Sequence, residues 1–259
     1  MSNETVLITG ASAGIGLELA RVFAADGCGL VLVARREDKL QELAGRLQGE
    51  HGVEVRVLPA DLADRGAPQA IFDHLTAEGV AVDVVVNNAG FGAIGPVAAL
   101  PVERQVDMVQ VNVAALVHLT RLFLPGMLQR GRGGVLNVAS TAAFQPGPYM
   151  AVYYATKAFV LSFSAALAEE LRGKPVRVSC LCPGPTYTEF GRVAGAEHVR
   201  LFKFGAMDAR SVAEAGYRGF RRGRLVVIPG VTNRTGTVFA RFLPGTVVRK
   251  FVVWLQKPP

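Results

Sequence analysis

Residues 5–37 read TVLITGASAGIGLELARVFAADGCGLVLVARRE, and their reading decides the fold. Val6 to Thr9 predict a short apolar strand, and Gly10, Gly14 and Gly16 then open a turn. From Ile15 the apolar positions Leu19, Val22 and Phe23 recur with helical spacing, and Leu30 to Val33 predict a second strand. Strand, glycine turn, helix and parallel strand make a βαβ unit. Glycines there let backbone approach a pyrophosphate closely, while the helix N-terminus aims unpaired N–H groups at it. Gly10, Ser12, Gly14, Ile15 and Gly16 are therefore candidate dinucleotide-binding positions.

The alternation continues outward from this unit. A helix is expected from Arg36 to Leu47 and a strand from Val53 to Pro59. VDVVVNNAG reads as a fully apolar buried strand that ends in small polar residues. A helix from Val102 to Leu122, a strand through GGVLNVAS, one long helix through YMAVYYATKAFVLSFSAALAEELR and a strand from Val176 to Leu181 follow. SVAEAGYRGFRRG predicts a short helix and RLVVIPG the last strand. Strand and helix alternate without a linker or repeat. The expected architecture is α/β: one doubly wound Rossmann domain over 1–259, with about seven parallel strands and helices on both faces.

Tyr153 and Lys157 are four residues apart on the long helix, so both point to one face. A cation near a phenol favours phenolate, which makes a tyrosine a usable proton donor or acceptor. Ser140 closes the preceding strand and can hydrogen-bond a reacting carbonyl. Tyr154 lies about 100° round the helix from Tyr153 and belongs to the pocket or an interface. Asn112, in the apolar stretch VQVNVAALVHL, is a buried amide that needs partners.

Thr9-Gly10-Ala11-Ser12-Ala13-Gly14-Ile15-Gly16 resembles the cofactor motif of the short-chain dehydrogenase/reductase family. Asp61-Leu62, Asn87-Asn88-Ala89-Gly90, Asn112, the set Ser140, Tyr153 and Lys157, and Pro183-Gly184 follow in that family's order, over roughly residues 5–230. The resemblance implies an oxidoreductase that interconverts a carbonyl and a secondary alcohol, with Tyr153 as general acid/base. Lys157 would lower the Tyr153 pKa and bind the nicotinamide ribose, and Asn112 would help to hold a water beside Lys157. Asp61 and Leu62 would lie beside the adenine, Asn88, Ala89 and Gly90 against the ribose, and Pro183 and Gly184 beside the nicotinamide. Thr186 and Thr188 would meet its carboxamide, and residues 187–204 would form the substrate lid. The long helix would lie in a homodimer or homotetramer interface.

Cofactor choice is written at the end of the second strand. An NAD-selective site usually carries an acid there, whereas this chain has Ala34, Arg35 and Arg36. Guanidinium groups can hold a 2′-phosphate bidentately, so NADP(H) is expected, with Arg35 carrying most of the preference. The alternative is that both arginines merely start a helix. Phe91, Ile94, Phe144, Tyr149 and Met150 predict an apolar pocket for a ketone, a 3-oxoacyl or a steroid-like small molecule. A non-catalytic NADP(H)-binding regulator is the competing class; such a protein would need only the cofactor half.

The 259 residues are half apolar and carry a formal charge of +7, with the excess crowded after residue 190. A solvated surface, anionic substrates or a membrane fit that excess; no nucleic-acid-binding signature accompanies it. Cys28, Cys180 and Cys182 form no C-x-x-C pattern, and no metal-ligand cluster is evident, so no metal is expected. MSNETVLITG leaves no room for a signal peptide, and a cytoplasmic location is expected. Residues 231–259 form an amphipathic basic extension interrupted at Pro244. It either packs over the substrate pocket or a partner subunit, or makes peripheral contact with a membrane.

Overall fold

The computed structural model describes residues 4–195 and 206–256, less the side chains of 240 and 241. Seven parallel strands form one sheet in the order β3-β2-β1-β4-β5-β6-β9. They are β1 (Thr5–Thr9), β2 (Gly29–Ala34), β3 (Val55–Pro59), β4 (Val84–Asn87), β5 (Gly134–Val138), β6 (Arg177–Leu181) and β9 (Val226–Val227). Two short strands, β7 (Thr186–Tyr187) and β8 (Met207–Asp208), pair separately.

Successive strand residues face opposite layers, and the core divides accordingly. Val6, Ile8, Leu30, Leu32, Val84 and Val86 pack against α1 (Gly14–Ala25), α2 (Glu37–His51) and α8 (Ala209–Arg221). Leu7, Val31, Val33 and Val85 pack against α3 (Ala67–Ala77), α5 (Ala115–Arg130) and α6 (Ala151–Glu170). Helices on both faces are the reason these strands read as continuous apolar runs.

The helix expected over 102–122 is longer and not uniform. α4 (Val102–Val109) passes into a π turn (Gln110–Ala114) and then into α5, which runs past Pro125 to Arg130. Proline removes one i→i−4 bond without stopping the helix, whose buried side chains on both sides of it hold the segment together. It ends where Gly131 adopts a left-handed φ of 67°. The last strand shrinks to Val226–Val227, and α2 extends to His51, also closed by a left-handed glycine, Gly52.

The helical run Val102–Arg130 and α6 are long and apolar enough by composition to cross a membrane. Both instead lay buried polar groups against the sheet. Asn87 donates to Thr120 and to Asn137, and Asn137 donates to Ser164 of α6, at 2.9–3.0 Å. This chain of amides and hydroxyls ties α5 and α6 to β4 and β5 directly beneath the strand ends.

Beyond β6 come α7 (Phe190–Ala194), α9 (Val231–Phe242) and α10 (Gly245–Gln256), the last two separated at Pro244 as the sequence predicts. The expected lid is described as far as Gly195; its residues 196–204 lie outside the described residues.

Candidate active site

The strand order reverses between β1 and β4, and a crevice opens at their carboxyl ends. Thr9 fixes its floor: its hydroxyl accepts the N–H groups of Asn88 and Ala89, each at 3.0 Å, and donates to the Val86 carbonyl. The Asn88 amide donates back to the Thr9 carbonyl at 2.8 Å. Gly10 and Gly14 have φ of 67° and 56°, the left-handed region that favours glycine. A Cβ on Gly16 would stand 2.3 Å from the Gly10 carbonyl oxygen, so the helix can start this close only without one. Ala13, the cap of α1, supplies no side-chain acceptor, and the first turn of α1 holds no acid. Its first N–H groups remain available for an anion, which is what a pyrophosphate requires.

A cavity of about 1250 Å³ runs from this turn to α6. Of the sequence-predicted site residues, Gly10, Ser12, Gly14, Ile15, Arg35, Asp61, Leu62, Asn88, Ala89, Gly90, Ser140, Tyr153, Lys157, Pro183, Gly184, Thr186 and Thr188 line it. Gly16 and Asn112 stand behind the wall. Asn112 lies in the π turn, exchanges hydrogen bonds with both the N–H and the carbonyl of Phe91, and donates to Thr156 on α6, all at 3.0 Å. Its amide is fully used in pinning the loop after β4 to α6.

At the phosphate end the two arginines differ. The Arg36 guanidinium donates to the Ser12 hydroxyl at 3.2 Å and grips the Glu189 carboxylate at 2.8 and 3.1 Å. That cation holds the Glu189 carboxyl below its usual range. The Arg35 side chain is 74% exposed, and its partner Asp61 stands 3.8 Å away. Thr186 donates to the Gly184 carbonyl, and Thr188 accepts from the Phe190 N–H, so both hydroxyls make local turns at the cavity edge.

At the other end, α6 places Tyr153 and Lys157 on one buried face. The Lys157 ammonium donates to the Val138 carbonyl at 2.8 Å and lies 5.8 Å from the Tyr153 ring centre. Burial pushes the Tyr153 phenol up to about 12, against a smaller lowering by the Ser140 hydroxyl bonded to it. Burial likewise pushes Lys157 down to about 8, countered in part by Cys180 and Cys182. The phenol thus stands above its ordinary value. Desolvation sets this direction, opposite to the acidification by Lys157 expected from the spacing. Among the described residues no group of His, Cys, Asp and Glu could hold a metal.

A family model for the short chain dehydrogenases matches residues 4–198. The chain belongs to the short-chain dehydrogenase family. It is 39% identical over 191 residues to the NADP-dependent 3-hydroxy acid dehydrogenase of Escherichia coli K12, covering 73% of this chain and 75% of that protein. It is 34% identical over 194 residues to the very-long-chain 3-oxoacyl-CoA reductase of Anas platyrhynchos, covering 73% of this chain and 61% of that one. The chain thus spans less than two thirds of the length of the duck reductase. A short-chain dehydrogenase from Sphingobium yanoikuyae, solved in complex with NADPH, superposes with a TM-score of 0.83 at 35% identity, covering 92% and 93% of the two chains.

In this short-chain dehydrogenase the substrate end has walls that sequence reasoning missed. Phe91 and Met150 line the cavity as expected, whereas Ile94, Phe144 and Tyr149 do not. Phe144 packs instead against the cluster of Leu116, Val160 and Cys180, and Ile94 packs behind Met150. Their places are taken by Phe190 and by Val248, Phe251 and Val252 of α10. Gln256 of the same helix is buried and donates to the Tyr154 hydroxyl, which seats Tyr154 as a wall residue. No spacing rule links residues this far apart. For Gly16→Ala we expect the crowded turn to open, with a loss of about 1–3 kcal/mol of unfolding free energy in urea titrations; an unchanged midpoint would show that the turn has slack.

Proposed function

We propose that the chain is an NADP(H)-dependent oxidoreductase that interconverts a carbonyl and a secondary alcohol on an apolar substrate. One observation carries the reading. Ser140, Tyr153 and Lys157 converge on the same cavity as the uncapped glycine turn, so proton donor and dinucleotide cradle open on a single space.

The glycine turn and the α1 N-terminus would hold the pyrophosphate, and Lys157 the nicotinamide ribose. When bound, the nicotinamide supplies or accepts the hydride. In reduction, the Ser140 and Tyr153 hydroxyls donate to the carbonyl oxygen and stabilise the charge that develops there. Tyr153 then passes its proton to that oxygen. The Lys157 ammonium, charged at neutral pH and close over the ring, stabilises the phenolate left behind. Asn112 acts at one remove by fixing Phe91 and Thr156 around the pair.

The apolar walls from Met150, Phe190, Val248 and Val252 favour a bulky ketone or an acyl chain over a small polar sugar. The duck relative, a very-long-chain 3-oxoacyl-CoA reductase, agrees with that size class. The small-residue outer face of α6, with Phe159 stacked on Phe163, is the surface we assign to homo-oligomer formation. The buried cysteines Cys28, Cys180 and Cys182, none of them in a disulfide, suit the reducing cytoplasm proposed for it.

Tyr153→Phe should lower kcat by about 10²–10⁴ with NADPH binding retained, and Tyr154→Phe should leave most of the turnover. The opposite ranking would assign the proton to Tyr154. If a ketone panel followed by NADPH absorbance gives no turnover despite tight NADPH binding, the regulator reading takes over. Reductive kcat/KM should fall as pH rises above about 8, where Lys157 loses its proton while Tyr153 keeps its own; a profile flat to about pH 10 would remove the lysine from this role. Arg35→Ala should weaken NADP(H) about tenfold or more and leave NAD(H) little changed, since its guanidinium is the less committed of the two. Equal losses with both nucleotides would move the preference elsewhere.

A further inference from the structure

The C-terminal helices have two different faces. On α10, Val248, Val252 and Gln256 repeat every fourth residue and are buried against Tyr153 and Tyr154. Val247, Phe251 and Trp254 form a second stripe that faces outward, with the Phe251 and Trp254 rings stacked at 5.9 Å. α9 repeats the pattern: Val231, Val238 and Phe242 point outward, Val231 and Phe242 at 81% and 82% exposure. Each outward stripe has a cation on the same flank, Arg234 on α9 and Lys250 on α10.

Charge says what covers this surface. No Asp or Glu follows Glu214, whereas Arg234, Arg241, Arg249 and Lys250 fall within the two helices. A second copy seated on the patch by two-fold symmetry would set Arg234 and Lys250 against their own kind, with no carboxylate in either helix to pair them. An anionic bilayer supplies the complement: aromatic rings settle at the headgroup level, apolar stripes sink below it, and Lys and Arg reach phosphate. The patch is also continuous with the cavity, because Phe239, Leu243, Val247 and Phe251 belong to both.

We infer that α9 and α10, whose exposed residues meet at the cavity mouth, dock on an anionic phospholipid surface and so hold that mouth at the lipid boundary. Docking goes beyond the reaction proposed above and does not depend on it. A substrate dissolved in lipid would reach Tyr153 between the two helices without crossing water.

The test is co-sedimentation of the full chain with phosphatidylcholine vesicles carrying about 30% phosphatidylserine, and with phosphatidylcholine alone. The chain should pellet with the anionic vesicles and several-fold less with the neutral ones. Arg234→Gln with Lys250→Gln should lower the partition coefficient about thirtyfold, the loss of two surface cations. Phe242→Ser with Trp254→Ser should also abolish pelleting. None of these side chains lines the cavity, so the thermal unfolding midpoint should stay unchanged. Failure of the intact chain to pellet, or equal pelleting of the variants, overturns the inference. So does a dimer in buffer that Phe242→Ser with Trp254→Ser converts to monomer, because a second copy would then own the patch.

Discussion

The bond pattern between Thr9 and Asn88 is the constraint on which the rest of this structure depends. Three short hydrogen bonds lace the carboxyl ends of β1 and β4 where the winding of the sheet reverses. The lacing holds the crevice floor at one depth. It also leaves the Gly10–Gly16 turn no room for a side chain at Gly16. A floor fixed by backbone and two small polar residues needs no reorganisation to receive an anion.

The reacting groups are fixed from the other side by burial. A lysine only 5% exposed, its ammonium held by the Val138 carbonyl, is costly, and Lys157 responds by titrating lower than a free lysine. The phenol responds in the opposite sense, and both shifts have one cause. Such a pair stays in place because the elements that carry it are over-determined. Asn137 holds Ser164 of α6, while Asn112 holds Thr156 of the same helix. The π turn belongs to this scheme, since it carries Asn112, whose amide reaches both Phe91 and α6.

The third side of the cavity is supplied by residues that follow the last strand of the sheet. α10 lays Val248 and Val252 over Met150 and Tyr153, and Gln256 reaches the Tyr154 hydroxyl. Buried polar atoms at such a junction specify one seating of the helix, because any other leaves the amide or the phenol unpaired. The same helix therefore shapes the pocket with one face and presents an aromatic, basic surface with the other.

By itself the sequence determined the βαβ unit, the sheet of parallel strands and the glycine-turn, Asn88–Gly90 and α6 residues that line the cavity. Those signals are local: glycines at fixed offsets, apolar runs of strand length, and a tyrosine and lysine one turn apart on a helix. Tertiary structure alone decided three things. It assigned Arg36 to Ser12 and Glu189 and left Arg35 the freer, because the two guanidiniums leave the chain in different directions. It put α10, and not Ile94, Phe144 and Tyr149, at the substrate wall, since contacts across a hundred residues leave no periodic trace. It also raised the Tyr153 pKa, because desolvation depends on everything packed around a group and not on its neighbours in the chain.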